Sequence, residues 1–256
     1  VYPIQPELET YLQSVADKWQ LRKHIRFNHT LKEARFDEAS AHWLVHTSSG
    51  DFKARFVISG NGGLAEPKLP DIAGVENFTG HHFHSANWDH NYPLAGKRVA
   101  VIGTGASAIQ FVPEIAGVPA KLSIFQRTPN WIIPRGDRPY SRFEKWIFKH
   151  IPITRKILRA KIYCQNETRV LGMVLHPAIM NLFRFSAVRH IQRQVADPAM
   201  WPKLTPNFPV GCKRILVSND WYPALQKPNV ELVTKGIKEI REHSIVTNDN
   251  VEHELD

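Results

Sequence analysis

One stretch constrains this chain more than any other: LAGKRVAVIGTGASAIQFVPEIAG, residues 94–117. Residues 98–102 predict a buried strand, the triplet Gly103-Thr104-Gly105 predicts a turn, and the residues from about Ala106 predict a helix. The two glycines permit a tight turn and let another molecule approach the backbone closely. Because the N-terminus of a helix attracts anions, this arrangement predicts a pyrophosphate site in an α/β fold.

The turn follows a GxGxxG-like pattern in which Ala108 takes the third small position. The pattern alone is a weak signal, but here it follows a strand and opens a helix, as a Rossmann-type dinucleotide site requires. The residues that we expect to line the nucleotide at this turn are Gly103, Thr104, Gly105, Ala106, Ser107, Ala108 and Gln110.

The end of the next strand decides between the two nicotinamide dinucleotides. The run KLSIFQR predicts that strand, which ends at Arg127 and is followed by Thr128. An acidic residue at this place accepts a hydrogen bond from a ribose 2′-hydroxyl, whereas an arginine accommodates a 2′-phosphate. Arg127 and Thr128 therefore predict NADP rather than NAD. The alternative is an arginine that is merely solvated at the end of a strand.

The N-terminal part of the chain has a different pattern. Residues 6–19, PELETYLQSVADKW, predict a helix with an apolar face formed by Leu8, Leu12, Val15, Ala16 and Trp19. The runs HIRF, HWLVHT and KARFVIS, separated by polar turns such as SSGD, predict the strands of a small antiparallel sheet. The glycines and prolines of residues 59–74 then predict a linker between two lobes.

The formal net charge of +9 is compatible with a nucleic acid, an anionic lipid surface or a phosphorylated ligand. Much of the excess lies between Arg138 and Arg193. It is carried by Arg142, Lys145, Lys149, Arg155, Lys156, Arg159 and Lys161. Because apolar residues alternate with these, we expect amphipathic helices with solvated basic faces and no nucleic-acid partner.

Two further features bear on the cellular setting. Cys164 and Cys212 lie far apart and form no CxxC pair, which disfavours a disulfide scaffold or a cysteine zinc site and fits a reducing cytoplasm. The most apolar stretch, VLGMVLHPAIMNLF, is too short to cross a bilayer, so no transmembrane segment is predicted.

Residues 78–89, FTGHHFHSANWD, place three histidines among aromatic residues and form what we term the fingerprint segment. Its histidines are candidate metal ligands, but no HxxxH pair on an evident helix and no cysteine pair accompanies them, so we predict no metal. Plain core packing is another alternative for His84 and Trp88. In its spacing the segment matches FxGxxxHxxxWD through Phe78, Gly80, His84, Trp88 and Asp89.

This pattern, followed by the glycine turn, resembles the Baeyer–Villiger monooxygenases, and in particular the branch that includes 4-hydroxyacetophenone monooxygenase. The resemblance extends over nearly the whole chain, through KLPDIAGVENFTGHHFHSANWD, FQRTPNWIIPR and FPVGCKRIL. It implies the cofactors FAD and NADPH, and a reaction in which one oxygen atom of O2 enters a small-molecule ketone or is added to a heteroatom.

The resemblance also implies roles for particular residues. The family's active-site arginine lies in a lysine-arginine pair that matches Lys213-Arg214, so Arg214 is expected to hold the negatively charged oxygen intermediate and Lys213 to contact the nicotinamide cofactor. His84 and Trp88 are candidate active-site residues together with Arg214. For His84 we expect a role in coupling the two lobes and not a direct chemical role. From composition alone, the Lys213-Arg214 pair would be a solvated surface turn.

The expected architecture is a Rossmann-type NADP-binding lobe with a helical insertion, plus part of a flavin lobe. We expect residues 1–92 to belong to the flavin lobe and hinge, residues 93–256 to the NADP lobe, and residues 138–200 to be the insertion. The family's other glycine turn, for FAD, and its C-terminal flavin segment are not in this sequence, so we expect an internal fragment that is inactive alone. A free-standing NADP-binding module remains an alternative; a plain reductase is disfavoured because no redox dithiol is present.

Overall fold

The computed structural model describes residues 3–62, 66–174 and 177–256. The chain divides into two compact units, Val1–Glu66 and Pro67–Asp256. The boundary between them falls within the glycine- and proline-rich segment 59–74, where the sequence predicts a linker. The fingerprint segment lies in the second unit.

The first unit contains one helix and a three-stranded antiparallel sheet with the strands in sequence order. The elements are helix α1 (Gln5–Lys18), a 3₁₀ turn (Leu21–His24) and strands β1 (Leu31–Asp37), β2 (His42–Thr47) and β3 (Gly50–Ala54). In the first pair of strands Phe36 lies opposite Trp43, and their rings meet edge to face at 5.5 Å. The predicted helix and small antiparallel sheet are confirmed, but the third strand is Gly50–Ala54 and includes only the first two residues of the predicted run KARFVIS.

The strand predicted at HIRF is wrong, because Gln20 takes a left-handed backbone conformation (φ 52°) and the chain continues as a 3₁₀ turn. The first strand forms later, at β1. None of the residues described in 3–62 is buried, since one helix and three strands do not enclose a core. On α1 the side chains of Leu12 and Trp19 are each 65% exposed.

The second unit is built around a parallel sheet of three strands in the order β4-β5-β8. The strands are β4 (Arg98–Ile102), β5 (Lys121–Phe125) and β8 (Val230–Val233), and helices α2 (Ala108–Ile115) and α7 (Trp221–Leu225) accompany them. Because side chains alternate between the faces of a strand, Leu122 and Ile124 pack with α2 and α7, whereas Phe125 packs on the opposite face. The predicted strand at residues 98–102 is confirmed, and the helix begins two residues later than Ala106.

A second, antiparallel sheet covers that opposite face. It consists of β9 (Ile237–Arg241), β10 (Ser244–Thr247) and β11 (Glu252–Glu254), and it contributes Ile240 and Ile245 to the core that contains Phe125. Gly74 lies against this sheet with φ 79°, and a β-carbon there would come within 2.2 Å of the Ile240 carbonyl oxygen. Only glycine fits this close backbone contact.

The expected helical insertion is present. It contains α3 (Arg142–His150), α4 (Pro152–Val174), a 3₁₀ turn (Pro177–Ile179) and α5 (Met180–Gln194), followed by a 3₁₀ turn (Pro198–Met200) and α6 (Trp201–Leu204). A two-residue parallel pair, β6 (Ile132–Ile133) and β7 (Leu216–Val217), brackets this region. Next to the pair, the Asn219 amide bonds both backbone groups of Arg135, at 2.9 Å to its N–H and 3.0 Å to its carbonyl.

Candidate functional site

The glycine turn lies at the carboxyl edge of the parallel sheet, directly after β4. The Gly103 N–H donates to the Phe125 carbonyl at 3.0 Å, which joins the turn to the end of β5. Gly103 has φ 100°, a conformation that glycine adopts without strain. No heavy atom outside the adjacent residues lies within 4 Å of a β-carbon built on Gly103 or Gly105, so the space above the turn is open.

Helical bonding starts early at this turn, since the Ile109 N–H donates to the Gly105 carbonyl at 3.1 Å. Ala108 is 5% exposed and packs into the core beneath the helix. The Gln110 side chain donates to the Ala106 carbonyl at 2.7 Å. Among the described residues, no hydrogen bond engages the amides of Gly105, Ala106 and Ser107, which leaves three exposed donors at the positive end of α2.

Arg127 and Thr128 follow β5 at the same edge of the sheet. Arg127 is exposed, and it has no hydrogen bond or ion pair with any residue that the structure describes. The Thr104 hydroxyl donates to the Thr128 carbonyl at 3.5 Å, so the strand end is tied to the glycine turn. The structure thus brings the predicted pyrophosphate and 2′-phosphate residues together, with a free guanidinium beside free amides.

Two residues that the sequence reasoning did not select support this turn from beneath. The Asn130 side chain donates to the Thr104 carbonyl at 2.7 Å. Thr104, Asn130 and Tyr222 all line one small void. Tyr222 is 1% exposed, and its hydroxyl has no hydrogen-bond partner among the described residues. Burial raises the pKa of that hydroxyl. No periodicity distinguishes either residue, so only the folded backbone reveals them.

The fingerprint segment packs against α2 through an aromatic chain. Trp88 meets Phe83 edge to face at 5.1 Å and meets Phe111 of α2 in the same way at 5.2 Å. The Nδ1 atom of His84 accepts a hydrogen bond from the Ala86 N–H at 3.1 Å, which caps a 3₁₀ turn at Ser85–Asn87. Trp88 thereby connects the segment to the helix that carries the glycine turn.

The same segment is anchored to the antiparallel sheet at its other end. The Thr79 N–H donates to the Glu242 carbonyl at 3.0 Å. At Gly80 a β-carbon would lie 2.5 Å from the ring of Phe78. Phe78 and Gly80, the first two positions of the pattern, therefore have a packing explanation, because the Phe78 ring occupies the space that any side chain at Gly80 would need.

Metal binding finds no support in the side-chain geometry. His81 pairs with Asp89 at 3.0 Å and stacks on Tyr92 at 4.1 Å. Throughout the part of the chain that the structure describes, no group of three or more His, Cys, Asp or Glu residues could hold an ion. In the same residues no helix has both the length and the apolar character needed to span a bilayer.

Lys213 and Arg214 lie immediately before β7. The Lys213 ammonium lies 4.7 Å from the centre of the Phe208 ring, and Arg214 is exposed without an ion pair among the described residues. Ile132 pairs with Leu216 in parallel register, so Arg214 precedes its strand by the same two residues as Asn130 does. Arg214 is therefore at the same end of the β6–β7 pair as Asn130, the residue that bonds to the glycine turn.

The sequence and the fold both match known proteins. The family described as flavin-binding monooxygenase-like matches residues 2–176. The relatives include Baeyer–Villiger monooxygenases of Pseudomonas aeruginosa, 44% identical over 98% of this chain and 48% of that protein, and of Streptomyces coelicolor, 43% identical over 98% and 49%. The chain therefore spans about half the length of these relatives.

Solved structures agree with the sequence matches. An oxidised steroid monooxygenase bound to NADP is 32% identical, with a TM-score of 0.84 over 100% of this chain and 56% of that chain. The OTEMO complex with FAD and NADP also has a TM-score of 0.84, at 28% identity over 99% of this chain and 56% of that chain. These matches confirm the expected two-dinucleotide flavoprotein fold. The chain belongs to the flavin-binding monooxygenase-like family, in which it is similar to Baeyer–Villiger monooxygenases.

Proposed function

We propose that the protein carrying this chain is an NADPH- and FAD-dependent monooxygenase that inserts one oxygen atom from O2 into a ketone or adds it to a heteroatom. The observation that carries the proposal is the unpaired Arg127 beside an open glycine turn, in a chain of the flavin-binding monooxygenase-like family. We further propose residues 1–92 as part of the flavin lobe and residues 93–256 as the NADP lobe, in a cytoplasmic protein.

The residues at the carboxyl edge of the sheet fit NADP. The free amides of Gly105, Ala106 and Ser107 would donate to the pyrophosphate, because the N-terminus of α2 favours negative charge. Arg127 would form charge-assisted hydrogen bonds with the 2′-phosphate, and Thr128 would line the same position. Thr104 and Asn130 keep the turn and the strand end at a fixed spacing.

Flavin, when bound, supplies the chemistry that passes electrons from NADPH to O2. Among the described residues the only strand–glycine turn–helix unit is the one at Gly103, so we assign no FAD contact to this chain. His84 and Trp88 act in the proposal by holding the fingerprint segment against α2 and so coupling the lobes.

Arg214 is the proposed active-site group. A guanidinium carries a delocalised positive charge and presents a planar fork of donors, which suits Arg214 to hold negative charge on an oxygen atom. Lys213, next to it, would contact the nicotinamide cofactor. One preorganised donor of this kind contributes about 3–4 kcal/mol to a transition state.

Rapid mixing of the complete gene product with NADPH, and then with O2, tests this assignment. Arg214→Ala should keep NADPH oxidation in part while product formation stops and hydrogen peroxide accumulates, and Arg214→Lys should rescue little because an ammonium lacks the fork. Arg35→Ala, an exposed arginine of β1, is the control. Oxygenation at the wild-type rate in Arg214→Ala would mean that Lys213-Arg214 is a solvated surface turn without a catalytic role. NADPH binding with no oxygen consumption in the wild-type protein would favour a free-standing NADP-binding module.

A further inference from the structure

Helix α3 forms without a core beneath it. It has nine residues, and none of them is buried. Isolated helices of this length are marginal in water, so its caps must contribute much of its stability. The Ser141 hydroxyl accepts from the Glu144 N–H at 3.2 Å, and the Glu144 carboxylate accepts from the Ser141 N–H at 2.8 Å. The helix therefore presents apolar side chains outward, with Phe143 68% and Trp146 53% exposed.

The same region concentrates the positive charge of the protein. Residues 142–166 contain seven Lys and Arg residues and one acidic residue, Glu144, whereas the net charge of the whole chain is +9. Glu144 is already neutralised by Arg138, whose Nη1 lies 2.9 Å from the carboxylate. In the described part of the chain no ion pair involves any of the seven basic residues. This field therefore attracts an anionic surface.

Exposed aliphatic side chains continue the apolar character onto the next helix. Ile153 and Ile157, one turn apart at the start of α4, are 55% and 62% exposed. We term the exposed Phe143, Trp146, Ile153 and Ile157, together with the basic residues of 142–163, the basic–aromatic region. Amphipathic helices with aromatic and aliphatic residues flanked by Lys and Arg are typical of proteins that lie on a membrane interface.

The ring geometry distinguishes a lipid from a nucleic acid. The Trp146 ring stacks on His150 at 4.7 Å and runs parallel to Phe143, with an interplanar angle of 7°. Because the His150 ring already covers one face of the indole, Trp146 offers a nucleobase only its other face, and isoleucines have no π face for stacking. Acyl chains, by contrast, require only that apolar side chains reach the boundary between the lipid headgroups and the acyl region.

We propose that α3 and the N-terminal half of α4 are a peripheral docking surface for an anionic lipid bilayer. The Phe143, Trp146 and isoleucine side chains enter the interface, and the lysines and arginines contact lipid phosphates. The inference is independent of the oxygenase chemistry, since it uses none of the nucleotide residues.

Co-sedimentation of the complete gene product with phosphatidylcholine vesicles, with and without phosphatidylserine, tests the proposal. We expect binding only when phosphatidylserine is present, and its loss at high salt. Each lysine at such a surface changes affinity about fivefold, so Lys145→Gln combined with Lys149→Gln should weaken binding on the order of 20-fold. Trp146→Ser should weaken it as well.

Matched controls use exposed residues of the first unit, namely Lys32→Gln with Lys53→Gln, and Trp19→Ser, whose indole is 65% exposed. These should bind as the wild type does. Circular dichroism checks that Trp146→Ser folds; if it does not, the surface lysine pair decides alone. The proposal is overturned if the lysine pair binds like its control, if binding is equal without phosphatidylserine, or if the protein retains duplex DNA but no vesicles.

Discussion

Arg127 has a guanidinium at the end of a parallel strand that no described residue neutralises. If it binds the 2′-phosphate, Arg127→Ala should weaken NADP⁺ binding by about 1.5–3 kcal/mol, roughly ten- to a hundredfold, and leave NAD⁺ binding nearly unchanged. Titration calorimetry with both nucleotides measures this difference, with Arg35→Ala as the control. Equal losses for NADP⁺ and NAD⁺ would refute the assignment.

Unlike Arg127, Asn130 should affect the binding of NADP⁺ and NAD⁺ equally, because its amide supports the glycine turn and does not contact the 2′-phosphate. Removing the donor leaves the Thr104 carbonyl without its 2.7 Å partner, at a cost of about 1–3 kcal/mol. Asn130→Ala and Asn130→Asp should both weaken NADP⁺ and NAD⁺ by the same factor. A loss confined to NADP⁺ would mean that Asn130 contacts the 2′-phosphate region instead.

Arg127 and Asn130 differ in whether the sequence predicts their role. Arg127 is predictable because it occupies a set distance after a recognisable glycine turn. Asn130 is not, since its role depends on a loop that folds back onto Thr104, and no spacing rule describes that approach. The family pattern predicts Trp88 and His84 as site residues but not their contacts. Trp88 meets Phe111, which is 23 residues further along the chain, and His84 accepts a hydrogen bond from the Ala86 N–H.

At the scale of elements, Trp88 is the side chain that joins the fingerprint segment to α2. Trp88→Ala removes both edge-to-face contacts, and for a half-buried indole we expect a loss of about 2 kcal/mol in the free energy of unfolding. Trp88→Phe should retain much of that. Trp19→Ala, at an exposed site, should cost less than roughly 0.5 kcal/mol. Denaturant unfolding measures the series, and equal midpoints for Trp88→Ala and Trp19→Ala would contradict the role.

Helix α3 should depend on pH through its cap. The hydrogen bond from Arg138 lowers the pKa of the Glu144 carboxyl from 4.5 to about 2. Because the folded pKa is depressed, the stabilisation is complete above pH 4.5 and is lost as the pH falls towards about 2. Amide hydrogen exchange within α3 should therefore accelerate, relative to α2, over that range. In Glu144→Gln the ratio of the amide exchange rate in α3 to that in α2 should no longer change with pH.

Elements also differ in how well the sequence predicts them. The strand at residues 98–102 and the small sheet are strongly patterned, and both are confirmed. The HIRF strand is wrong because alternation over four residues does not distinguish a strand from a turn, and here the 3₁₀ turn Leu21–His24, which follows the left-handed Gln20, includes the first residue of the run. The strand that replaces it, LKEARFD, is rich in charged residues, so hydrophobic periodicity did not reveal it.

For the molecule as a whole, cofactor content is the most direct test. The 256-residue chain expressed alone should be colourless and retain no FAD, because its one strand–glycine turn–helix unit among the described residues is the NADP site. It should still bind NADP⁺ through Arg127. Absorbance spectroscopy of the purified chain checks this prediction. A stoichiometric flavin band would show that the cofactor sites are misplaced.

The side-chain amide of Asn219 joins the two ends of the helical insertion. By bonding both backbone groups of Arg135 across 84 residues, it closes the chain into a loop that contains the helical insertion and Arg214. Beside this contact, the parallel β6–β7 pair joins residues 132–133 to residues 216–217. Together these contacts hold the two ends of the helical insertion next to each other. Because Arg214 lies two residues before β7, the contacts that close this loop also restrict how far Arg214 can move when α3 or α4 is displaced.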